Sequence, residues 1–440
     1  MKLESRQRSD VQETLDQLPR LLDPTLGIIR SIEWYTGEAD DPDFFHCHAR
    51  IDAPSRAGTR AIATGGTAAR GEVALAKAIG ESLERYCAFA DQPPVRVASH
   101  AELDGQAVDP RLCTLFHPSQ YHVPGFPFRP PSLRARLGWV EGFSLTRQEP
   151  RLVPATLTHL TYEPRTPDDA FEDCPVSGYA CGRTLEEAAL NGLCEVVERD
   201  AFMIFWYQWL SVPRLDLATF DAPEVTEALA RYRRVPGHVT CASITTDVGI
   251  PAVLAMLTSR RRGWPAATIA LAANLSVERA LVHALGELAA NLLLVRSSLA
   301  HGRVPHGPLE VASMEDHGLL YATPRFLGFL DPLLRPRRVV GATGFARTVS
   351  DDVGADLEEC VRRLGERDLE AIVVDLTTPA VAERGFHVVK VLVPGMQPID
   401  FSMQWPHLGG RRLYEAPERM GYRRLGRRPC DLNLFPHPFP

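Results

Sequence analysis

No stretch of this chain reaches the roughly 18 apolar residues that a membrane-spanning helix needs. Its opening, MKLESRQRSDVQETLDQL, also lacks the apolar centre of a secretory signal. These two absences predict a cytoplasmic protein with no membrane partner. Paired cysteine spacing is missing as well. The nine cysteines, at 47, 87, 113, 174, 181, 194, 241, 360 and 430, are scattered, which argues against a disulfide framework. Nor is basic charge concentrated anywhere: the formal net charge of −7 is spread along the chain, so nucleic acid is not an expected partner. The Arg-rich run over 409–429 is a local exception. Acids interrupt it, and it reads as a charged surface segment or as one facing an anionic ligand. Adjacent side chains of the HCH triplet at His46–His48 would alternate faces on a strand, which disfavours a metal site there.

What is present is the composition of an ordinary folded protein, 45% hydrophobic and 23% charged, with no low-complexity tract. Its 440 residues allow one large α/β domain with insertions or two to three smaller ones. Residues 1–60 read as an N-terminal helix followed by mixed strand and loop. Helical blocks are predicted at about 68–91, 184–208 and 276–299. Between the first two, residues 92–150 are rich in proline and turn signals and read as a long excursion over the surface. Strand-like runs occur at HVTCASITT, IPAVLAMLTS, AATIALAANL, LEAIVVDLTT and FHVVKVLVPG, giving an α/β (α+β) class with mixed sheets covered by helices. The closing DLNLFPHPFP, with prolines at 436, 438 and 440, predicts an extended path without amide donors.

The second helical block carries charges in an apolar run, LNGLCEVVERDAFMIFW. Thr184 and Glu187 form the Thr-x-x-Glu start signal of a helix. At 100° per residue, Asn191, Glu195 and Glu198 lie at about 40°, 80° and 20° from Glu187, one polar stripe. Leu190, Leu193 and Val197 fall on the other side, available for the core. The first block repeats the device: Glu81, Glu84 and Arg85 superpose on Glu195, Glu198 and Arg199 at an offset of 114 positions, so Glu-x-x-Glu-Arg occurs twice. A solvated helix face would also account for these acids, and capping alone would account for Glu187. Solvated faces usually interleave lysine, however, and the second stripe has no base between its acids. If the two helices face each other, the converging carboxylates need a cation, and oxygen-only ligands favour Mg²⁺ or Ca²⁺.

Taken together, GRTLEEAALNGLCEVVERDAF, the earlier ESLERYCAF and the terminal PHPFP resemble the YcaO superfamily, in particular its azoline-forming peptide cyclodehydratases. The resemblance divides the chain into an N-terminal segment (1–60), an ATP-binding catalytic domain (61–425) and a Pro-rich tail (426–440) that reaches the active site. It implies an ATP site without a Walker A loop, and no G-x-x-x-x-G-K-[ST] occurs here. It further implies that Glu81, Glu84, Glu187, Glu195 and Glu198 hold Mg²⁺ at the phosphates, that Arg199 neutralises phosphate charge, and that Pro436, Pro438 and Pro440 place the tail at the reaction centre. The implied reaction is ATP-dependent closure of Cys, Ser or Thr of a ribosomal precursor peptide to thiazoline or oxazoline. The implied partners are that peptide, a separate E1-like or ThiF-like leader-binding protein and a second copy of the chain.

Four positions depart from the pattern. Lys77 stands where relatives commonly have Ser, Arg183 where Asn is common, and Ala290 and Leu292 where Gln and Arg are usual, whereas Glu287 is kept. Lys77 and Arg183 would supply phosphate contacts from new positions, or else the ATP site is weakened. Two alternatives follow: thioamide formation with external sulfide, and a non-catalytic scaffold presenting peptide to an active homologue.

Overall fold

After two short helical segments, Val11–Leu15 and Leu18–Leu21, alternation of buried and exposed residues sends the chain into an antiparallel meander of β1 (Ile29–Tyr35), β2 (Phe45–Ser55) and β3 (Gly58–Ala68). On β2, Cys47, Ala49, Ile51 and Ala53 point inward while His48 and Arg50 face out, the period of two that a half-covered strand requires. Helix α1 (Gly71–Ala88) lies on β2 and β3. A Cβ at Gly66 would stand 2.0 Å from the Ala74 carbonyl oxygen and 2.6 Å from the Ala78 nitrogen. Only glycine allows strand and helix to approach this closely. The computed structural model describes residues 8–55, 58–90, 95–302, 304–346, 350–401, 404–423 and 425–440.

Four strands of the next sheet follow: β4 (Arg96–Ser99), β5 (Arg136–Ser144), β6 (Glu149–Pro154) and β7 (Tyr179–Gly182). The region expected to be a surface excursion therefore contributes strands to a sheet, with Leu137, Trp139 and Val140 buried on β5. Helix α2 (Leu185–Gln208) starts as predicted, the Thr184 hydroxyl accepting the Glu187 N–H at 3.1 Å. It ends at Trp209, whose left-handed φ of 48° stops the helical path.

The chain then builds a third sheet from β8 (Arg214–Leu215), β9 (His238–Ser243), β10 (Ala252–Thr258), β11 (Ala267–Ala273) and β12 (Val339–Val340), in the order β11-β10-β9-β8-β12. Helix α3 (Val277–Ala300) covers β10 and β11, its first turn capped by Ser276, whose hydroxyl accepts the Arg279 N–H at 3.1 Å. Contrary to the expectation from sequence, α3 is, among the described residues, one helix long and apolar enough to cross a membrane by length and composition; half of its most apolar window is buried inside the protein. Helix α4 (Val353–Gly365) leads to β13 (Ile372–Asp375) and β14 (His387–Leu392), which return to the earlier sheet between β5 and β7.

Helix α2 is thereby enclosed. It packs on β7 and β14 of one sheet, on β10 and β11 of the other, and on α4 and α5 (Arg411–Arg419). The Arg-rich run is explained here. Arg412 is buried, donates to Asp200 of α2 at 2.7 Å and reaches Asp247 at 3.0 Å, fastening α5 to the central helix. Removing the cation alone would strand Asp200, which has no exposure at all. Arg412→Met is expected to cost about 3–5 kcal/mol in denaturant unfolding. Adding Asp200→Asn should return much of that loss, and an unchanged midpoint in Arg412→Met would contradict the assignment.

Candidate active site

Between α1, α2, α3 and β11 lies a cavity of about 1620 Å³. From α1 come Lys77, Glu81 and Glu84, from α2 come Glu195, Glu198 and Arg199, and from α3 comes Glu287. The two Glu-x-x-Glu-Arg segments thus face one space. Each is built the same way. Arg85 stands 3.9 Å from Glu81 and 3.7 Å from Glu84, and Arg199 stands 3.4 Å from Glu195 and 3.2 Å from Glu198. The first glutamate of each segment accepts a glycine N–H at 2.7 Å, Glu81 from Gly65 of β3 and Glu195 from Gly178 just before β7. A strand-and-helix unit is therefore used twice, a glycine within or just before the strand supplying the amide that fixes the helix's acid.

Burial dominates the electrostatics. It pushes Glu84 up to about 8 and Glu198 up to about 7, against an ordinary glutamate value of 4.5. Arg85 and Arg199 pull these values down, and Glu195 opposes them by repelling both. Glu81 is raised as well, by burial first and then by Glu287 and Glu195, while the Gly65 amide and Arg85 lower it. Lys390, fully buried on β14, holds the Ser177 carbonyl at 2.7 Å and lies 3.9 Å from the Tyr179 ring centre, and its charge favours ionised Glu84. This space is one where a divalent cation would be stabilised.

A family model described as "YcaO cyclodehydratase, ATP- and Mg²⁺-binding" matches residues 65–397, which contain both acid segments and α3. The chain belongs to the YcaO family. Its fold resembles a YcaO-family heterocyclase solved with substrate and cofactor, with a TM-score of 0.82 and 26% identity, and the heterocyclase TruD, with a TM-score of 0.73 and 26% identity. Both likenesses cover 100% of this chain but only 59% and 55% of those chains, so the chain spans little more than half of either. A protein of uncharacterised function from Methanothermobacter thermautotrophicus is 28% identical over 77% of this chain and 82% of its own length.

ATP and Mg²⁺ are the cofactors of the YcaO family, and the cavity fits them. Arg199 is mostly buried; its Nη1 pairs with Glu198 at 3.2 Å, while its Nε makes no hydrogen bond among the described residues. That orphaned donor suits an anion. Among the described residues, no three His, Cys, Asp or Glu side chains surround a single point. The acids instead flank the cavity in pairs, an arrangement that suits Mg²⁺ held by one or two carboxylates together with waters and phosphate oxygens.

Not every expected residue reaches the cavity. Glu187 accepts the backbone N–H groups of Arg183 at 3.0 Å and Ser9 at 2.5 Å, outside the cavity lining. Arg183 donates to the Arg384 carbonyl at 2.8 Å and lies 4.6 Å over the Phe386 ring. Lys77 does line the cavity and pairs with Glu287 at 3.6 Å. Ala290 also lines it, whereas Leu292 is buried in the core on the other face of α3. In the tail, Pro436, Pro438 and Pro440 are buried, and the side chain at the cavity is Phe439, 4.4 Å from the Arg199 guanidinium. Trp206 and Tyr321 hold the tail by donating to the carbonyls of Phe435 and Pro436 at 2.7 and 2.6 Å. Lys390 and Phe439 escaped the sequence reading. Lys390 sits in an otherwise apolar strand run, FHVVKVLVPG, and that isolated charge was the available signal.

Because Glu84 and Glu198 keep their protons longer when folded than when unfolded, metal-free stability falls as pH rises from about 4.5 to about 8. The expected slope is at most ~1.4 kcal/mol per pH unit for each group. Thermal denaturation across this range should show the fall in metal-free protein and less of it with Mg²⁺ and nucleotide. The double variant Glu84→Gln/Glu198→Gln should flatten the profile, and an undiminished slope in that variant would refute the assignment.

Proposed function

We propose that the chain is an ATP- and Mg²⁺-dependent peptide cyclodehydratase, forming thiazoline or oxazoline at Cys, Ser or Thr of a ribosomally made precursor. The observation that carries this reading is the pair of Glu-x-x-Glu-Arg segments facing one cavity, with Phe439 of the tail against Arg199.

In this reading Glu81, Glu84, Glu195 and Glu198 offer carboxylates to Mg²⁺, while Arg199 and Lys77 neutralise phosphate oxygens. Glu187 and Arg183 act one step away, holding the start of α2 through backbone bonds. The substrate's thiol or hydroxyl adds to the preceding backbone carbonyl, forming a C–S or C–O bond and a tetrahedral adduct. Bound in the cavity, MgATP would supply the phosphoryl group that makes the adduct's oxygen a leaving group, with ADP released; the nucleophile's proton and the amide proton would pass to solvent as phosphate departs and the C=N bond forms. The chain's contribution is positioning and charge neutralisation. Pro436, Pro438 and Pro440 give the tail a fixed extended path, so Phe439 meets Arg199 with little ordering cost. A separate E1-like, ThiF-like protein would deliver the precursor's leader, and a second copy of the chain would complete a dimer.

Incubation with ATP, Mg²⁺, precursor and leader-binding partner should remove one water per modified residue, read by mass spectrometry. Glu195→Gln should lower the rate by at least about 100-fold. Exchange of oxygen for sulfur would instead identify thioamide formation. The scaffold reading draws on Ala290, which leaves one cavity position without a polar group. It predicts no thermal stabilisation by MgATP, whereas the enzyme reading predicts stabilisation that Glu195→Ala abolishes.

A further inference from the structure

The cavity is a groove with two unlike ends. Its acidic end lies where β11 finishes, since the Ala273 backbone donates to Glu198. The other end is the turn joining β10 to β11, the run Ser-Arg-Arg-Arg-Gly-Trp over 259–264, whose residues also line the cavity. Ala267 and Ala273 are the two ends of β11, so at about 3.4 Å per residue the arginine turn stands about 20 Å from the acids. Helix α3 runs along the same groove. Its Glu287 pairs with Lys77 at the acidic end, and its Arg296 lies 4.3 Å from the Trp264 ring at the other.

The three arginines of the turn are exposed, and they are not equivalent. Arg261 is paired with Asp40 at 2.8 Å. The buried carboxylate of Asp41, beside it in sequence, is held by Arg296. Arg261 of the turn and Arg296 of α3 thus already bind acid side chains of this chain's own loop at this end. Arg260 and Arg262 make no ion pair among the described residues, and they are the cations left to a ligand.

We propose that Arg260 and Arg262 anchor an acidic side chain, Asp or Glu, of the substrate peptide about six residues from the residue being modified. The inference rests on the function proposed above, which puts the reacting residue at the acidic end. Six extended residues span about 20 Å. A nucleotide whose phosphates lie at the metal-binding acids is too short to present those same phosphates to the turn. A glutamate or aspartate on an extended peptide fits the guanidinium fork and the distance together.

The test is equilibrium binding, independent of turnover. A fluorescein-labelled twelve-residue peptide carries one Cys and, six positions away, Asp-Glu, Asn-Gln or Lys-Lys. Full-length protein should bind the Asp-Glu peptide at least 10-fold more tightly than the Asn-Gln peptide. Arg260→Glu/Arg262→Glu should lose that preference and prefer Lys-Lys. Equal binding of all three peptides by the unaltered protein, absence of binding, or an unchanged preference in the double variant would overturn the proposal. MgATP-dependent thermal stabilisation should be the same in variant and parent; its loss in the variant alone would place nucleotide at the turn and overturn the proposal too. Its absence from both proteins would count against the enzyme reading, while the charge-swap result would still decide the anchoring site.

Discussion

The enclosure of α2 governs the rest of this structure. A helix packed between two sheets and two other helices has no solvated face on which to place charge. Of its glutamates, Glu195 and Glu198 face the cavity, where burial holds Glu198 near 7. Compensation comes in layers: an arginine in the same helical turn, a glycine amide from the residue before β7, and Lys390 behind the acids in β14. None of these cancels the repulsion across the cavity, because Glu195 of α2 still raises Glu84 of α1. That residual repulsion distinguishes a binding site from a buried structural network such as Asp200–Arg412–Asp247, which is closed within the protein.

Repetition of one unit simplifies how the site is assembled. β3 leads to α1 and β7 leads to α2, each with a glycine amide fixing the first glutamate. Gly66 sets the distance in the first unit by contact between backbones. Neither unit could balance its charges alone, and their opposition creates the cavity.

The three long helices were legible because their apolar periodicity is local. They formed at 71–88, 185–208 and 277–300, close to the boundaries read from pattern and capping. The five strand-like runs likewise formed strands. Residues 92–150 were misread because proline and turn residues dominate their composition, while β5 finds a partner in β13, more than 200 positions later. Pairing of that range leaves no local trace. Glu187 shows a different limit. A helical wheel resolves angle and not height, and eight residues before Glu195 put Glu187 about 12 Å down the axis. It shares the stripe but not the cavity. In the tail, the prolines announced an extended path, yet which side chain would arrive at the end of it depended on α2 and Arg199, far away in sequence.

Carbonyl oxygens of the tail, rather than its side chains, receive the hydrogen bonds of Trp206 and Tyr321, so docking requires those two donors to be in place beforehand. One belongs to α2 and the other follows α3, both made long before residues 435–440. The segment that brings Phe439 to Arg199 is therefore held only where α2 and the Tyr321 segment already stand together. Until residues 435–440 dock, the acids stand in a compartment with one wall still absent.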